Sequence, residues 1–87
     1  RDVAFVIDST MEVGDMLDMA LSTGEDLLER VRIFDVYAGA GIPEGKKSLG
    51  LRFTYRSFTA TLTDDTVNRV HSTIVQRIVD RTGAQIR

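Results

Sequence analysis

Between Arg32 and Arg56 the chain offers two strand-like runs, Arg32–Tyr37 and Leu49–Arg56, separated by the stretch from Ala38 to Ser48. That stretch carries Gly39, Gly41, Pro43 and Gly45 and is too polar to be buried, so the segment predicts a long-looped β-hairpin. The second run alternates cleanly. Leu49, Leu51, Phe53 and Tyr55 fall on one side, and Ser48, Gly50, Arg52, Thr54 and Arg56 on the other. One face demands a core, whereas the other is small and basic. A domain built on this hairpin needs something to cover the first face and leaves the second bare.

The flanking sequence supplies the cover. Val3-Ala4-Phe5-Val6-Ile7 is a short apolar run suited to a central strand. From Met11 to Ser22 the period changes, with Val13, Met16, Leu17, Ala20 and Leu21 at helical spacing. Ser9 with Glu12 predicts a capping box, and Gly24 a C-terminal cap. A second helix is predicted after Thr63 as N-cap, with Asp64 and Asp65 where the macrodipole favours carboxylates. Leu62 and Val67 are spaced for a hydrophobic staple, and the expected core stripe is Val67, Val70, Ile74, Ile78 and Val79. Arg77, Arg81 and Gly83 mark its end, and Ala84–Arg87 forms a closing strand. The order β-α-β-β-α-β predicts a ferredoxin-like α+β sandwich, a four-stranded antiparallel sheet with two helices on one face. Residues 1–87 read as one domain.

Composition narrows the function classes. With 43% hydrophobic and 28% charged residues, the chain is globular rather than disordered. It has no cysteine, so disulfides and thiolate metal sites are excluded, and a reducing cytoplasm is compatible. Neither a membrane-length apolar run nor a basic-then-apolar leader is present, and the missing initiator methionine suggests a piece of a longer protein. The net charge of −2 is unusual for a nucleic-acid binder. Its distribution matters more. From Arg30 to Arg56, six cations (Arg30, Arg32, Lys46, Lys47, Arg52 and Arg56) face only Asp35 and Glu44, about +4 locally, so the remainder carries about −6. A basic sheet backed by acidic helices can bind RNA from one side, weakly and with marked salt sensitivity.

The glycine loop is not a phosphate loop. Glu44 stands where G-x-G-x-x-G needs its third glycine; Ala40 and Lys47 occupy the first-glycine and Ser/Thr positions of a Walker A motif. Neither candidate opens a helix. Ile42-Pro43-Glu44-Gly45 fits a type I turn instead. No catalytic constellation stands out: His71 is the one histidine, expected at the edge of an apolar stripe, hydrogen-bonded or solvated. Asp15, Asp18, Glu25, Asp26 and Glu29 read as solvated faces and turns.

Asp35 and Tyr37, two apart on a strand, share a face. Pairing Tyr37 with Ser48 places Asp35 opposite Gly50 and Ile33 opposite Arg52, and aligns Phe34 and Val36 with the apolar side of the second strand. Asp35, Tyr37, Ser48, Gly50 and Arg52 then meet on the open face. A carboxylate facing a polyanion requires specific donors, such as the two adjacent N–H groups on guanine's Watson–Crick edge. A neighbouring phenol ring offers a stacking surface, and Gly50 leaves room for a base. An Asp35–Arg52 ion pair with Tyr37 covering the sheet edge accounts for the same residues equally well.

FDVY, GIPEGKKSL, LRFTYRS and TLTDDTVN resemble the ferredoxin-fold anticodon-binding domain that closes the β subunit of bacterial phenylalanyl-tRNA synthetases. The likeness runs from Arg1 to Arg87. It implies that the sheet face reads the anticodon stem-loop of phenylalanine tRNA, whose first anticodon base is guanine. Asp35, Tyr37 and Ser48 match the family positions implicated in that contact, with Ala4 a neighbour, Arg87 on the last strand against the RNA, and Arg52 on the same face. Lys46 and Lys47 fit phosphate contacts, as does a solvated turn. The resemblance further implies a non-catalytic part of a cytoplasmic ligase. The whole enzyme would use ATP and magnesium and pair with a catalytic α subunit in an α2β2 assembly, with no membrane partner. Two other functions fit the fold: a regulatory amino-acid-binding module, and a general single-strand RNA binder like the RNA-recognition motif. The basic face with Tyr37 argues against the first, and the outward Gly50 and Arg52 against the second.

Overall fold

The computed structural model describes residues 1–22, 26–57 and 61–87. Its elements are β1 (Asp2–Asp8), α1 (Val13–Leu21), β2 (Leu28–Tyr37), β3 (Lys46–Tyr55), α2 (Asp64–Thr82) and β4 (Gln85–Ile86). The four strands form one sheet in the order β2-β3-β1-β4, and every neighbouring pair is antiparallel. The ferredoxin-like arrangement is therefore present.

Alternation decides which side the helices cover. Phe5 and Ile7 of β1 and Leu49, Leu51 and Phe53 of β3 are buried in one cluster with Met16 and Ala20 of α1 and Val70, Ile74, Val75 and Ile78 of α2. Val75 joins the predicted stripe of α2, whereas Val67 and Val79 are only partly buried. Leu21, expected in the core, is exposed at the last position of α1. Thr63 caps α2 as expected: its Oγ1 accepts from the Thr66 amide at 3.2 Å, and Gly83 closes the helix at φ 71°. Leu62 and Val67 line one groove beside the start of that helix.

The start of α1 differs. Its N-cap is Glu12, with no side-chain cap. Ser9 is diverted, because its amide donates to Gly45 O at 2.9 Å while Met11 N turns back to Asp8 O at 3.0 Å. The backbone of Ser9 thus fastens the β1–α1 turn to the hairpin instead of capping. Ser22 is the C-cap of α1; Gly24 lies outside the described residues, as does Glu25.

The hairpin turn also shifts by one residue. Lys46 N donates to Pro43 O at 3.1 Å, and Gly45 has φ 79°. A positive φ at the third position is the signature of a type II turn over Pro43–Lys46, so glycine is required there. Type I over Ile42–Gly45 is not formed. Glu29 is exposed, as expected, but on a strand rather than a turn: it lies in β2 and meets Arg56 at 3.4 Å.

His71 does sit beside the apolar stripe. Its Nδ1 is 2.6 Å from Tyr55 Oη, and its ring meets Phe53 and Tyr55 edge-on at 5.2 and 5.8 Å. Desolvation, helped by the positive charges at Arg1, holds its pKa below the ordinary 6.5.

Candidate nucleic-acid interface

The face away from the helices carries alternate residues of each strand: Asp2, Ala4, Val6 and Asp8 of β1; Ser48, Gly50, Arg52 and Thr54 of β3. The register pairs Tyr37 with Ser48 and Asp35 with Gly50, as the sequence predicts. Ala4 lies beside Gly50 on the next strand, and Val6 beside Ser48. Two rows therefore cross the sheet: Asp35–Gly50–Ala4, and Tyr37–Ser48–Val6. They are one pleat repeat apart, about 7 Å.

The rows differ in how far they are already occupied. Tyr37 Oη donates to Ala40 O at 2.8 Å, so the phenol is held by the hairpin loop while the residue stands 38% exposed. Arg87 reaches this row from the chain end. Its backbone amide donates to Ala4 O at 2.8 Å, its Nη1 donates to Ser48 Oγ at 3.3 Å, and its guanidinium carbon stands 5.6 Å from the Tyr37 ring centre. Ser48 is only 1% exposed, lying beneath this arginine. Asp35, by contrast, is exposed, and its side chain makes no hydrogen bond or ion pair among the described residues.

Gly50 does not leave an empty space. The ladder is irregular between Ile33 and Asp35, so Phe34 is an extra residue in β2. A bulge of this kind turns the side chain out of strict alternation. A Cβ built on Gly50 would come within 2.7 Å of Phe34 Cζ and 2.9 Å of its Cε2. Phe34 therefore lies over Gly50 on the open face, not toward the core, and is 47% exposed. The same bulge moves Ile33 opposite Leu51 and puts Arg32, not Ile33, opposite Arg52.

The charges are more compensated than the hairpin alone suggests, because β1 brings acids beside them. Arg52 donates from Nε and Nη2 to the two carboxylate oxygens of Asp2 at 2.9 and 3.1 Å. This hydrogen-bonded pair lowers the Asp2 pKa, against an opposing effect of desolvation, and raises that of Arg52. The Asp35–Arg52 pair considered from sequence is not formed. Arg52 instead sits 5.3 Å from the Phe34 ring centre. Lys46 donates to Asp8 Oδ1 at 2.6 Å, near the hairpin turn. Lys47 is separated from the rest: its Nζ donates to Met11 O at 2.6 Å on the helix side, so it leaves the face that Lys46 occupies. Arg30 and Arg32 of β2 are exposed and add positive charge to this face.

Ala4, Asp35, Tyr37, Ser48 and Arg87 are thus assembled on one surface, with Arg52 at one end and Lys46 at the other. Phe34 and Arg32 were missed. A groove of about 590 Å³, lined by Arg1, Arg52, Tyr55, Leu62 and Val67 among others, opens between β3 and the start of α2, away from Asp35 and Tyr37. Among the described residues no three His, Cys, Asp or Glu side chains gather as a metal site, and no helix is long and apolar enough to cross a membrane.

Comparison with known proteins agrees with this fold. The model of the ferredoxin-fold anticodon binding domain matches residues 1–87. The phenylalanine–tRNA ligase beta subunit of Syntrophus aciditrophicus is 72% identical over the whole chain, which spans 11% of that protein. The corresponding beta subunits of Clostridium tetani and Bradyrhizobium diazoefficiens are 44% and 37% identical over the same extent. The chain therefore spans about one-ninth of the length of these relatives. With fold and sequence in accord, the chain belongs to the ferredoxin-fold anticodon-binding domain family found in these beta subunits.

Proposed function

We propose that the open sheet face of this domain reads the anticodon loop of phenylalanine tRNA, with Asp35 accepting from the Watson–Crick edge of the first anticodon base, guanine. The observation that carries the reading is the exposed Asp35 carboxylate, unpartnered among the described residues, one pleat repeat from an aromatic ring. Guanine presents two adjacent N–H donors that such a carboxylate accepts side by side. Stacked on Tyr37, the base would occupy the space now taken by the Arg87 guanidinium. Two van der Waals layers need about 7–8 Å, so Arg87 must retreat by about 2 Å from its present 5.6 Å to sandwich the base.

Ser48 and Ala4 form the floor of this site, and Ser48 holds Arg87 at its rim. Lys46 and Arg52 lie where the loop backbone would run, each sharing its charge with a β1 carboxylate. The domain then adds selectivity more than affinity. Its role in the whole protein is to hold the tRNA while a catalytic α subunit, in an α2β2 cytoplasmic enzyme, attaches phenylalanine. ATP and magnesium belong to that chemistry elsewhere. The residues here do not fit either, since the glycines of the hairpin join two strands and no acidic cluster is present among the described residues.

The test is a titration of the chain with two RNA hairpins that differ only in guanine or adenine at the first anticodon position. The guanine hairpin should bind about 5- to 150-fold more tightly, the range for one bidentate base contact of ~1–3 kcal/mol. Asp35→Ala should abolish the difference, and Tyr37→Ala should weaken the guanine hairpin by a similar factor. Lys46→Ala should instead weaken both hairpins alike and lower the salt slope by about 0.7–0.9. Equal binding of both hairpins by the unaltered chain would reject the reading.

A further inference from the structure

The Phe34 bulge leaves a second aromatic surface beside the proposed guanine site, and nothing in that site uses it. Phe34 lies over Gly50, the residue paired with Asp35, whereas Tyr37 pairs with Ser48. Gly50 and Ser48 are two residues apart on β3, so the two rings stand about 7 Å apart along the strand. That interval suits successive nucleotides of an extended, unstacked strand, each base on its own platform. Although Gly50 supports one end of the Phe34 ring, nearly half of the residue remains exposed. For an aromatic residue on a bare sheet face, this is surface left without a protein partner.

The charges around it point the same way. Arg32 and Arg52 are direct partners across β2 and β3, and like charges so placed destabilise a sheet. Asp2 compensates Arg52 through two hydrogen bonds. The Arg32 side chain has no hydrogen bond or ion pair among the described residues. An uncompensated arginine beside an exposed ring, one of its neighbours already stationed 5.3 Å from that ring, matches what a nucleotide needs: a stacking surface for the base and a cation for its phosphate.

We propose that Phe34 is the stacking platform for a second nucleotide of the bound RNA loop, adjacent to the guanine, with Arg32 meeting its phosphate. This rests on the reading that the loop lies on the open face, and it adds a residue that confers affinity without base identity. The Asp35 site selects; the Phe34 platform holds.

Anisotropy titrations with three RNA hairpins test it: the intact guanine loop, and two loops abasic immediately 5′ or 3′ of the guanine. Phe34→Ala should weaken binding of the intact loop by about 5- to 150-fold, the range for one lost stacking contact. For one of the two abasic loops, Phe34→Ala and the unaltered chain should bind equally, because the base that Phe34 carries is already gone. Phe34→Tyr should restore binding to within about twofold, and Phe34→Leu, which keeps an apolar cover over Gly50 without a π face, should not. Retention of the unaltered melting temperature by Phe34→Leu ensures that its loss is local. Undiminished binding of the intact loop by Phe34→Ala or Phe34→Leu, or an equal penalty on all three loops, overturns the platform. The adenine-for-guanine hairpin, run with every variant, separates this outcome from failure of the Asp35 reading. Lost base discrimination indicts Asp35, while the abasic loops judge Phe34.

Discussion

Replacing Gly50 by alanine tests whether the Phe34 ring is mobile or locked. The new methyl would fall 2.7 Å from Phe34 Cζ and 2.9 Å from Cε2, where ordinary carbon contacts need about 3.5–4.0 Å, so the ring must withdraw by about 1 Å. What opposes the withdrawal is small. The ring is half-exposed, and among the described residues its one cation–π contact is the Arg52 guanidinium, worth ~0.5–1 kcal/mol at an exposed position. What favours the variant is of similar size. Gly50 does not have a positive φ, so alanine fits its backbone, and removing a glycine from a strand contributes ~0.5–1 kcal/mol through the unfolded chain. The two nearly cancel. Thermal unfolding followed by circular dichroism should place Gly50→Ala within about 1 kcal/mol of the unaltered chain, a shift of no more than ~4–8 °C. RNA binding should fall, because the displaced ring no longer lies beside the Asp35 row. A destabilisation of about 3 kcal/mol or more would refute the reasoning, since only a ring fixed by packing resists at that level.

Removing the cap of α2 by Thr63→Ala should cost ~0.5–2 kcal/mol by leaving the Thr66 amide unpaired, lowering the melting temperature by several degrees without altering RNA selectivity. The pH profile of stability should carry the mark of His71. Its folded-state pKa lies below 6.5, so the fold prefers neutral imidazole; the resulting stability is complete above pH 6.5 and is lost as pH falls through the lowered value. His71→Gln should therefore flatten denaturant midpoints measured from pH 6.5 downward, and an unchanged slope would exclude His71 as the titrating group.

Much of this architecture is written in local pattern. The N-cap at Thr63, the αL glycine at 83 and the alternation through Leu49, Leu51 and Phe53 each specify their element without help from distant residues. Once β3 alternates, the partners of Asp35 and Tyr37 follow. The bulge escaped because period-two reasoning carries no term for an extra residue, and Ile33-Phe34 are both apolar. A signal existed, however. Val31 and Val36 both belong to the helix side through pairing with Phe53 and Leu49, yet they are an odd number of residues apart, which a regular strand forbids. Lys47 was equally readable, since it shares the parity of Leu49 and must point toward the helices. Reading Lys46-Lys47 as one basic turn concealed that. The compensation of Arg52 and Lys46 by Asp2 and Asp8 lay beyond any local pattern, because both acids arrive on β1, some forty to fifty residues earlier.

The irregular ladder of β2 has a consequence beyond recognition. β2 is a border of the sheet, and its outer rim presents backbone groups that a foreign strand could extend. Ile33 and Val36 would make that rim attractive to another copy. Extra residues at Glu29 and Phe34 interrupt its straightness in two places, and Arg30 and Arg32 stand charged between them. The opposite border, β4, is only two residues long. If, as proposed, one side of the sheet stays bare for a visiting strand of RNA, its margins are shaped to turn away a visiting strand of protein.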